Sequence, residues 1–449
     1  MQYVTDLHLH SKYSRAVSQN MILPVMNEWG RKKGLEILTT GDWTHPLWFR
    51  HIVDSLEEKK EGLFKIKNSK DKKDPFFILS TEISSIYSQG GKTRRIHNLI
   101  FSPTIQTVEK INKEFQRRAF NLSADGRPII GLSSKDLLEL VLSIDRTAFL
   151  IPCHVWTPWF SLYGSMSGFD SIEECFGEYS KYIFAIETGL SSDPEMNWRI
   201  KELGKRAIVS FSDSHSPAKM GREATVFELE DSTFKNIRRA IIAPNIKENW
   251  RNLPDRIAFT IEFYPEEGKY HFTGHRNCNV SQSPLETKKH GVICPVCKRP
   301  LTVGVMHRVE ELASPEESQE IKTDPHGVKW VYDPAGKHPP FVKLVPLIEI
   351  VAESFSMTVS SQKVKTTYEE ICQKLGSEIE IIFRAPIDEI KKSSGERIAE
   401  AISKVRGGNI TIKPGFDGEY GVVKIWNEDE KEDPFILPKK DSNQLGLDF

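Results

Sequence analysis

Seven short apolar runs punctuate the first half of the chain. They are Gln2–His8, Leu35–Asp42, Phe76–Ile83, Arg95–Phe101, Ala148–Val155, Tyr182–Thr188 and Ala207–Ser212. Each has the length and residue content of a buried strand. Between them lie segments with apolar positions three and four residues apart. Met21–Lys33 carries Met21, Val25, Met26 and Trp29 on one face and ends at Gly34, and Thr107–Arg118 and Pro194–Leu203 repeat the pattern. Strands alternating with helices predict a mostly parallel sheet, open or closed into a barrel. The short link through Gly90-Gly91 predicts a hairpin-like irregularity between the third and fourth runs.

Polar residues cluster at one end of these runs. His8 and His10 end the first, Asp42 the second, Glu82 the third, His154 the fifth and Glu187 the sixth; Asp213 and His215 follow the seventh, and His97 falls inside the fourth. In α/β barrels the C-terminal strand ends carry the catalytic groups. A lone histidine there is usually a packing residue, but many such groups at equivalent ends converge on one site. His8 and His10, two apart on a strand, point to the same face. Imidazoles mixed with carboxylates suit Zn, Mn or Mg, and such ions activate water and stabilise charge on a phosphoryl oxygen. The chain shows no nucleophile elbow, phosphate-binding loop or dinucleotide fingerprint. Metal-assisted hydrolysis is therefore the predicted chemistry.

Further along, Cys294-Pro-Val-Cys297 has the spacing of a zinc knuckle, and His275-Arg-Asn-Cys278 repeats its two-residue gap. Together they predict one closed, structural Cys₃His zinc site, with His271 as the alternative fourth ligand. Residues 311–340, rich in Glu, Asp, Gly and Pro, predict a surface excursion. From 340 to 430 the pattern predicts helices Thr366–Leu375 and Ser394–Val405 with strands Glu378–Phe383, Asn409–Ile412 and Tyr420–Ile425. The predicted domains are a catalytic barrel (1–240), a zinc module (255–312), a small α+β region (340–430) and a tail (431–449).

Composition adds exclusions. With 449 residues, 39% hydrophobic and 27% charged, the chain reads as globular. It has no apolar stretch of bilayer length and no secretory leader pattern, and three clustered cysteines of six fit a reducing cytoplasm. Net charge is −1, so any polyanion contact must come from local patches. Candidate patches are the lysines around Lys70 and Lys72 and the pair at Arg94; the aromatic run holding Trp156 and Trp159 is a candidate base-stacking surface.

The motifs Asp6-Leu-His8-Leu-His10, Thr40-Gly-Asp42, Glu82, His97, His154 and Ser212-Asp213-Ser-His215 resemble those of the polymerase-and-histidinol-phosphatase (PHP) superfamily. That resemblance implies a distorted (β/α)7 barrel holding two or three metal ions, with Asp213, His8 and Glu82 central to catalysis. Two positions depart from the usual pattern, with Trp43 and Arg15-Ala16 standing where His and Asp-Gly are common. With the knuckles and Val305-Met-His-Arg-Val-Glu-Glu-Leu312, the chain as a whole resembles the endonuclease Q family. The resemblance implies nicking of DNA on the 5′ side of deaminated bases (uracil, hypoxanthine, xanthine) and of abasic sites, in a nucleoid setting. The alternatives are a small-molecule phosphoesterase of the same superfamily and a non-catalytic DNA-binding accessory protein. The final Gln444-Leu445-Gly-Leu447-Asp-Phe449 resembles the hexapeptide by which bacterial proteins bind the replication sliding clamp, implying that partner.

Overall fold

The computed structural model describes residues 1–246, 250–314 and 319–427. The clamp-like motif at Gln444, Leu445, Leu447 and Phe449 lies outside the described residues.

All seven predicted strands form. They are β1 (Gln2–Asp6), β2 (Ile37–Thr39), β3 (Phe76–Gln89), β4 (Lys92–Ser102), β5 (Phe149–Pro152), β6 (Ala185–Glu187) and β7 (Ala207–Val209). β1, β2 and β3 run parallel, as do β6 and β7. β3 and β4 are the two arms of a long antiparallel hairpin turning at Gly90-Gly91. β4 is antiparallel to β5 as well. This reversed strand explains why His97 sits mid-strand: the first half of β4 lies at the end where its neighbours finish. Loop hydrogen bonds complete the ring. Val155 N–H donates to Glu187 O (3.1 Å) between β5 and β6, and His10 N–H donates to Ser214 O (3.3 Å) between β1 and the segment after β7. The result is a distorted barrel of mixed strand direction. Its inner wall is filled by Leu7, Ile37, Ile78, Leu99, Ile151 and Val209, all essentially inaccessible to solvent.

Outside the barrel, Leu23–Lys33 and Ile105–Arg117 are helices close to the predicted bounds. Pro194–Leu203 is not one helix: it breaks into Pro194–Trp198 and a tighter turn, Lys201–Lys205. Short-range bonds, Ile200 N–H to Asn197 O and Leu203 N–H to Ile200 O, fold the chain inward there and bury Trp198, Ile200 and Leu203.

The sheet continues past the barrel. β8 (Ala224–Glu228) pairs antiparallel with β1, β9 (Arg256–Glu262) with β8, and Phe341–Lys343 lies parallel to β9. The expected surface excursion at 311–340 supplies two strands, Lys329–Tyr332 beside Phe341–Lys343 and the exposed Glu320–Thr323 at the sheet edge. Trp330 there packs on Phe259 and Phe383, which is what holds the segment to the sheet.

The C-terminal region is mostly helical. Glu378–Phe383, expected as a strand, is a helix. Ser377 and Glu380 form a capping box at its start, and Glu378, Ile381 and Ile382 share the buried face. The helix presents Glu378 to Lys33 of the barrel's first helix at 3.0 Å, with both side chains buried. Short strands Thr411–Lys413 and Val422–Lys424 form a terminal hairpin.

Candidate metal-dependent active site

Seven of the eight predicted ligand side chains meet at the C-terminal end of the barrel, around Glu82. Its carboxylate stands 2.5 Å from His97 Nδ1, 3.2 Å from His154 Nε2, 3.3 Å from His10 Nε2 and 3.8 Å from His8 Nε2. Asp213 Oδ1 lies 3.0 Å from His10 Nε2 and 3.5 Å from His8 Nε2, with His215 beside it. Four donor sets arise in the barrel: His8–His10–Glu82, Glu82–His97–His154, His10–Asp213–His215 and, on the far side of the His8 ring, His8–Cys153–Glu187. The first three share Glu82 or His10, so this geometry suits a cluster of ions bridged by a carboxylate. His8 Nε2 is buried without a hydrogen-bond partner, as an imidazole aimed at an ion would be.

Electrostatics point the same way. Burial alone would raise the carboxyl of Glu82, but His97 and Arg127 outweigh it and hold it well below the usual carboxylate range. Burial likewise opposes charge on Asp213, yet His8 and His10 lower it. The centre thus keeps its acids ionised, as metal ligands must be.

The backbone is bent to aim these groups. Asp42 (φ 47°), His154 (φ 33°) and Asp213 (φ 46°) all adopt left-handed conformations just past their strands. Such residues cost about 1–3 kcal/mol each and persist where surrounding structure fixes them. At Gly126 a side chain is impossible, since a Cβ would lie 2.4 Å from Asp42 Oδ2.

Asp42 occupies a different position from the one expected of a ligand. Its Oδ1 faces His10 Nδ1 at 3.0 Å, and its Oδ2 accepts from Ser11 N–H (2.6 Å), Ser11 Oγ (2.7 Å) and Ser14 Oγ (2.8 Å). With both oxygens engaged, it sits behind His10. Glu187 holds the same relation to His8, at 2.9 Å from Nδ1, and also accepts from the His154 N–H. Carboxylates behind metal-binding imidazoles fix tautomer and orientation.

Sequence reasoning passed over three contributors. Asp6 accepts from Ser212 N–H, Ser212 Oγ and Gly221 N–H, holding the loop that carries Asp213; burial pushes its carboxyl up to about 6. It was legible as the residue one strand period before His8. Ser14 directly precedes the departing pair Arg15-Ala16, and nothing in the spacing marked it. Arg127 donates to Glu82 Oε2 at 3.2 Å from an irregular segment with no periodicity to mark it.

The expected DNA contacts fare unevenly. Trp156 is core: it is 1% exposed, stacks on Tyr163 and donates to Asn197 Oδ1. Trp159 is partly exposed and meets Tyr270 edge-on. Lys70 and Lys72 belong to the loop that enters the start of β3, and Lys72 lines a cavity with Gln2, Tyr3 and Phe76, at the opposite barrel end from Glu82. Arg94 donates to Gly168 O and lies 4.0 Å from the Phe169 ring centroid, occupied within the fold.

In the second module, donor atoms of His275, Cys278, Cys294 and Cys297 all lie within 4.8 Å of one another. β10 (Thr273–His275) and β11 (Val280–Gln282) form the hairpin that carries the first pair, and Cys294 N–H to Arg299 O closes the turn that carries the second. His271 is buried apart from this group, and the imidazole grouped with the three sulfurs is that of His275. Three sulfurs and one imidazole nitrogen match a tetrahedral zinc site.

Residues 346–409 match the MJ0043 C-terminal domain family. The uncharacterised protein MJ0043 of Methanocaldococcus jannaschii is 33% identical over 277 residues, 60% of this chain; the match spans 31% of that protein's length. The lesion-specific endonuclease PfuEndoQ of Pyrococcus furiosus shares 29% identity with a TM-score of 0.77, covering 100% of both chains. An endonuclease Q crystallised with a 27-mer duplex bearing an abasic lesion at its active site is 30% identical, with a TM-score of 0.78, over 95% of this chain and 98% of that one. This chain belongs to the endonuclease Q family. Within that family fold, the Glu82 cluster occupies the barrel mouth, and the four-donor knuckle stands on the adjoining module.

Proposed function

We propose that this endonuclease Q family member is a metal-dependent DNA repair endonuclease. It nicks the phosphodiester 5′ to deaminated bases (uracil, hypoxanthine, xanthine) and abasic sites. The observation that carries the reading is the convergence of four imidazoles on the single carboxylate Glu82, with Asp213 and His215 completing a second edge. In this reading His8, His10, Glu82, His97, His154, Asp213 and His215 hold two or three divalent ions, which supply an activated water and stabilise charge on the phosphoryl oxygens. Asp42 and Glu187 orient His10 and His8. Asp213, more exposed than Glu82 at 27%, would hold an ion at the open edge of the cluster. Arg127 donates to Glu82 Oε2, the oxygen that also faces His8 and His10, and brings positive charge to the edge of the cluster. A flipped lesion is the expected substrate form, since damaged or mispaired bases leave the stack at lower cost. The Cys₃His group binds one structural zinc. The tail motif supports binding to a bacterial sliding clamp, tested by comparing clamp binding of the full chain with a variant lacking residues 444–449.

The direct test is incubation with Mg²⁺ or Mn²⁺ and end-labelled duplexes carrying uracil, hypoxanthine, an abasic site or no lesion. Incision of lesion duplexes alone is expected. Equal incision of undamaged duplex, or hydrolysis of small phosphoesters only, would overturn the reading.

A further inference from the structure

Two consecutive residues beside the barrel keep N–H donors that nothing in the described fold satisfies. Trp198 Nε1 and Arg199 Nε are both buried without a hydrogen-bond partner among the described residues. A buried donor left unmade is costly, so two together mark a place that something outside the chain completes. Both residues line one small cavity of about 130 Å³. Lys201, Lys337, His338 and Ser314 share its wall, and no Asp or Glu lines it. The nearby carboxylates are spent on other atoms. Glu310 accepts from Arg199 Nη1 at 2.7 Å, and Asp333 faces His338 Nδ1 at 2.8 Å while accepting the N–H groups of Ala335, Lys337 and His338. The cavity is therefore small, cationic and supplied with unused donors.

Its walls are fixed by packing. Trp198 ends the helix Pro194–Trp198, stacks on His338 at 5.7 Å and meets Phe341 edge-on at 5.5 Å. The indole N–H cannot swing out to water without breaking both contacts. Ser314 N–H donates to Arg199 O at 2.9 Å. Three segments thus meet at the cavity: the turn after β6, the residues following the helix Val305–Leu312, and the loop entering Phe341–Lys343. A water molecule takes about 30 Å³ of liquid, and sites for drug-sized ligands run to about 300–1,000 Å³. The space suits one phosphate-sized group and excludes a whole nucleotide.

We propose that this cavity binds one phosphate group, with Trp198 Nε1 and Arg199 Nε donating to its oxygens and Lys201 and Lys337 balancing its charge. A tetrahedral oxyanion presents acceptors in several directions, as donors fixed on separate segments require, and a charged acceptor makes the stronger bond. Bound there, the anion ties the barrel turn to the two segments packed on it. Free phosphate and a terminal phosphate of DNA offer the same chemistry. The site shares no residue with the Glu82 cluster and stands independently of the nuclease reading.

The test measures binding of inorganic phosphate to the full chain by equilibrium dialysis, and melting in phosphate against chloride at equal ionic strength. The background is Asp213→Ala, which weakens phosphate binding at the barrel cluster. One phosphate per chain should bind, and melting should rise in phosphate over chloride, because a ligand of the folded state alone stabilises it. Trp198→Phe keeps a ring in place and loses the N–H. That change and Lys201→Ala should each weaken binding about tenfold, the loss of one charge-assisted contact. The melting rise should shrink in step, while Lys201→Ala leaves melting in chloride unchanged. Should Trp198→Phe fail to fold, the exposed Lys201→Ala carries the same test. Displacement of phosphate by an oligonucleotide with a 5′-phosphate, and not by its 5′-hydroxyl counterpart, would assign the group to DNA ends; displacement by neither would assign it to the free anion. Equal melting in phosphate and chloride, as a water-filled cavity would give, would overturn the proposal. So would unchanged binding in both variants, or displacement by hydroxyl-ended DNA.

Discussion

Asp42 Oδ1 stands 3.0 Å from His10 Nδ1, on the far side of the imidazole from Glu82 and Asp213. That pairing fixes which ring nitrogen faces the cluster and raises its basicity. Asp42→Asn keeps the shape but removes the charge. The metal concentration for half-maximal incision should rise about 10–100-fold, as for other residues behind metal ligands. Metal titration of incision checks this, and an unchanged metal requirement would contradict the orienting role.

The knuckle cysteines should act on stability. Cys294→Ser or Cys297→Ser should remove one tightly held zinc per chain and lower the melting temperature, because binding at such a site is coupled to folding. Zinc analysis alongside a thermal scan reads both effects. Retention of zinc and melting in both variants would remove the module from the account.

Lys33 ties the barrel to the C-terminal helices through Glu378, which also accepts from Tyr368 Oη at 2.8 Å and Leu347 N–H at 3.1 Å. Removing one partner of a buried pair strands the other charge. Lys33→Met should therefore cost about 3–5 kcal/mol in denaturant unfolding. A change under about 1 kcal/mol, the range of exposed pairs, would show that the contact does not join the two regions energetically.

Glu262, in β9, is fully buried, and burial pushes its carboxyl up to about 8, although Ser210 Oγ donates to it at 2.5 Å. The unfolded chain releases this proton near pH 4.5, whereas the folded chain keeps it to about 8. The group's contribution to stability is thus fully present below pH about 4.5 and declines as pH rises towards about 8. Glu262→Gln should flatten that decline, so its advantage over the native chain grows from pH 5 to pH 8. Parallel pH dependences would contradict the protonated state.

Much of this was written in the sequence. The strand period of two puts Asp6, His8 and His10 on one face, and ligand-type residues at the ends of apolar runs mark the site. Spacing could not separate a ligand from the carboxylate behind it, because Asp42 and Glu82 each close an apolar run in the sequence; only the hydrogen bonds of Asp42 distinguish them. Trp156 looked like a stacking surface because an aromatic run reads the same in a core and in a pocket. Glu378–Phe383 alternates Glu and Ile as a strand would, and the capping box at Ser377 decided for helix. Arg127 had no pattern to betray it, since irregular loops carry no period.

Under the proposed function, the Glu82–Asp213 cluster cuts DNA on the 5′ side of a lesion. The most direct measurement maps the product ends from a uracil- or abasic-containing duplex at single-nucleotide resolution, with native chain, His8→Ala and Asp213→Ala. The account predicts one nick 5′ to the lesion, leaving 3′-hydroxyl and 5′-phosphate ends, and none with either folded variant. Cleavage elsewhere, or native rates in both variants, would contradict it.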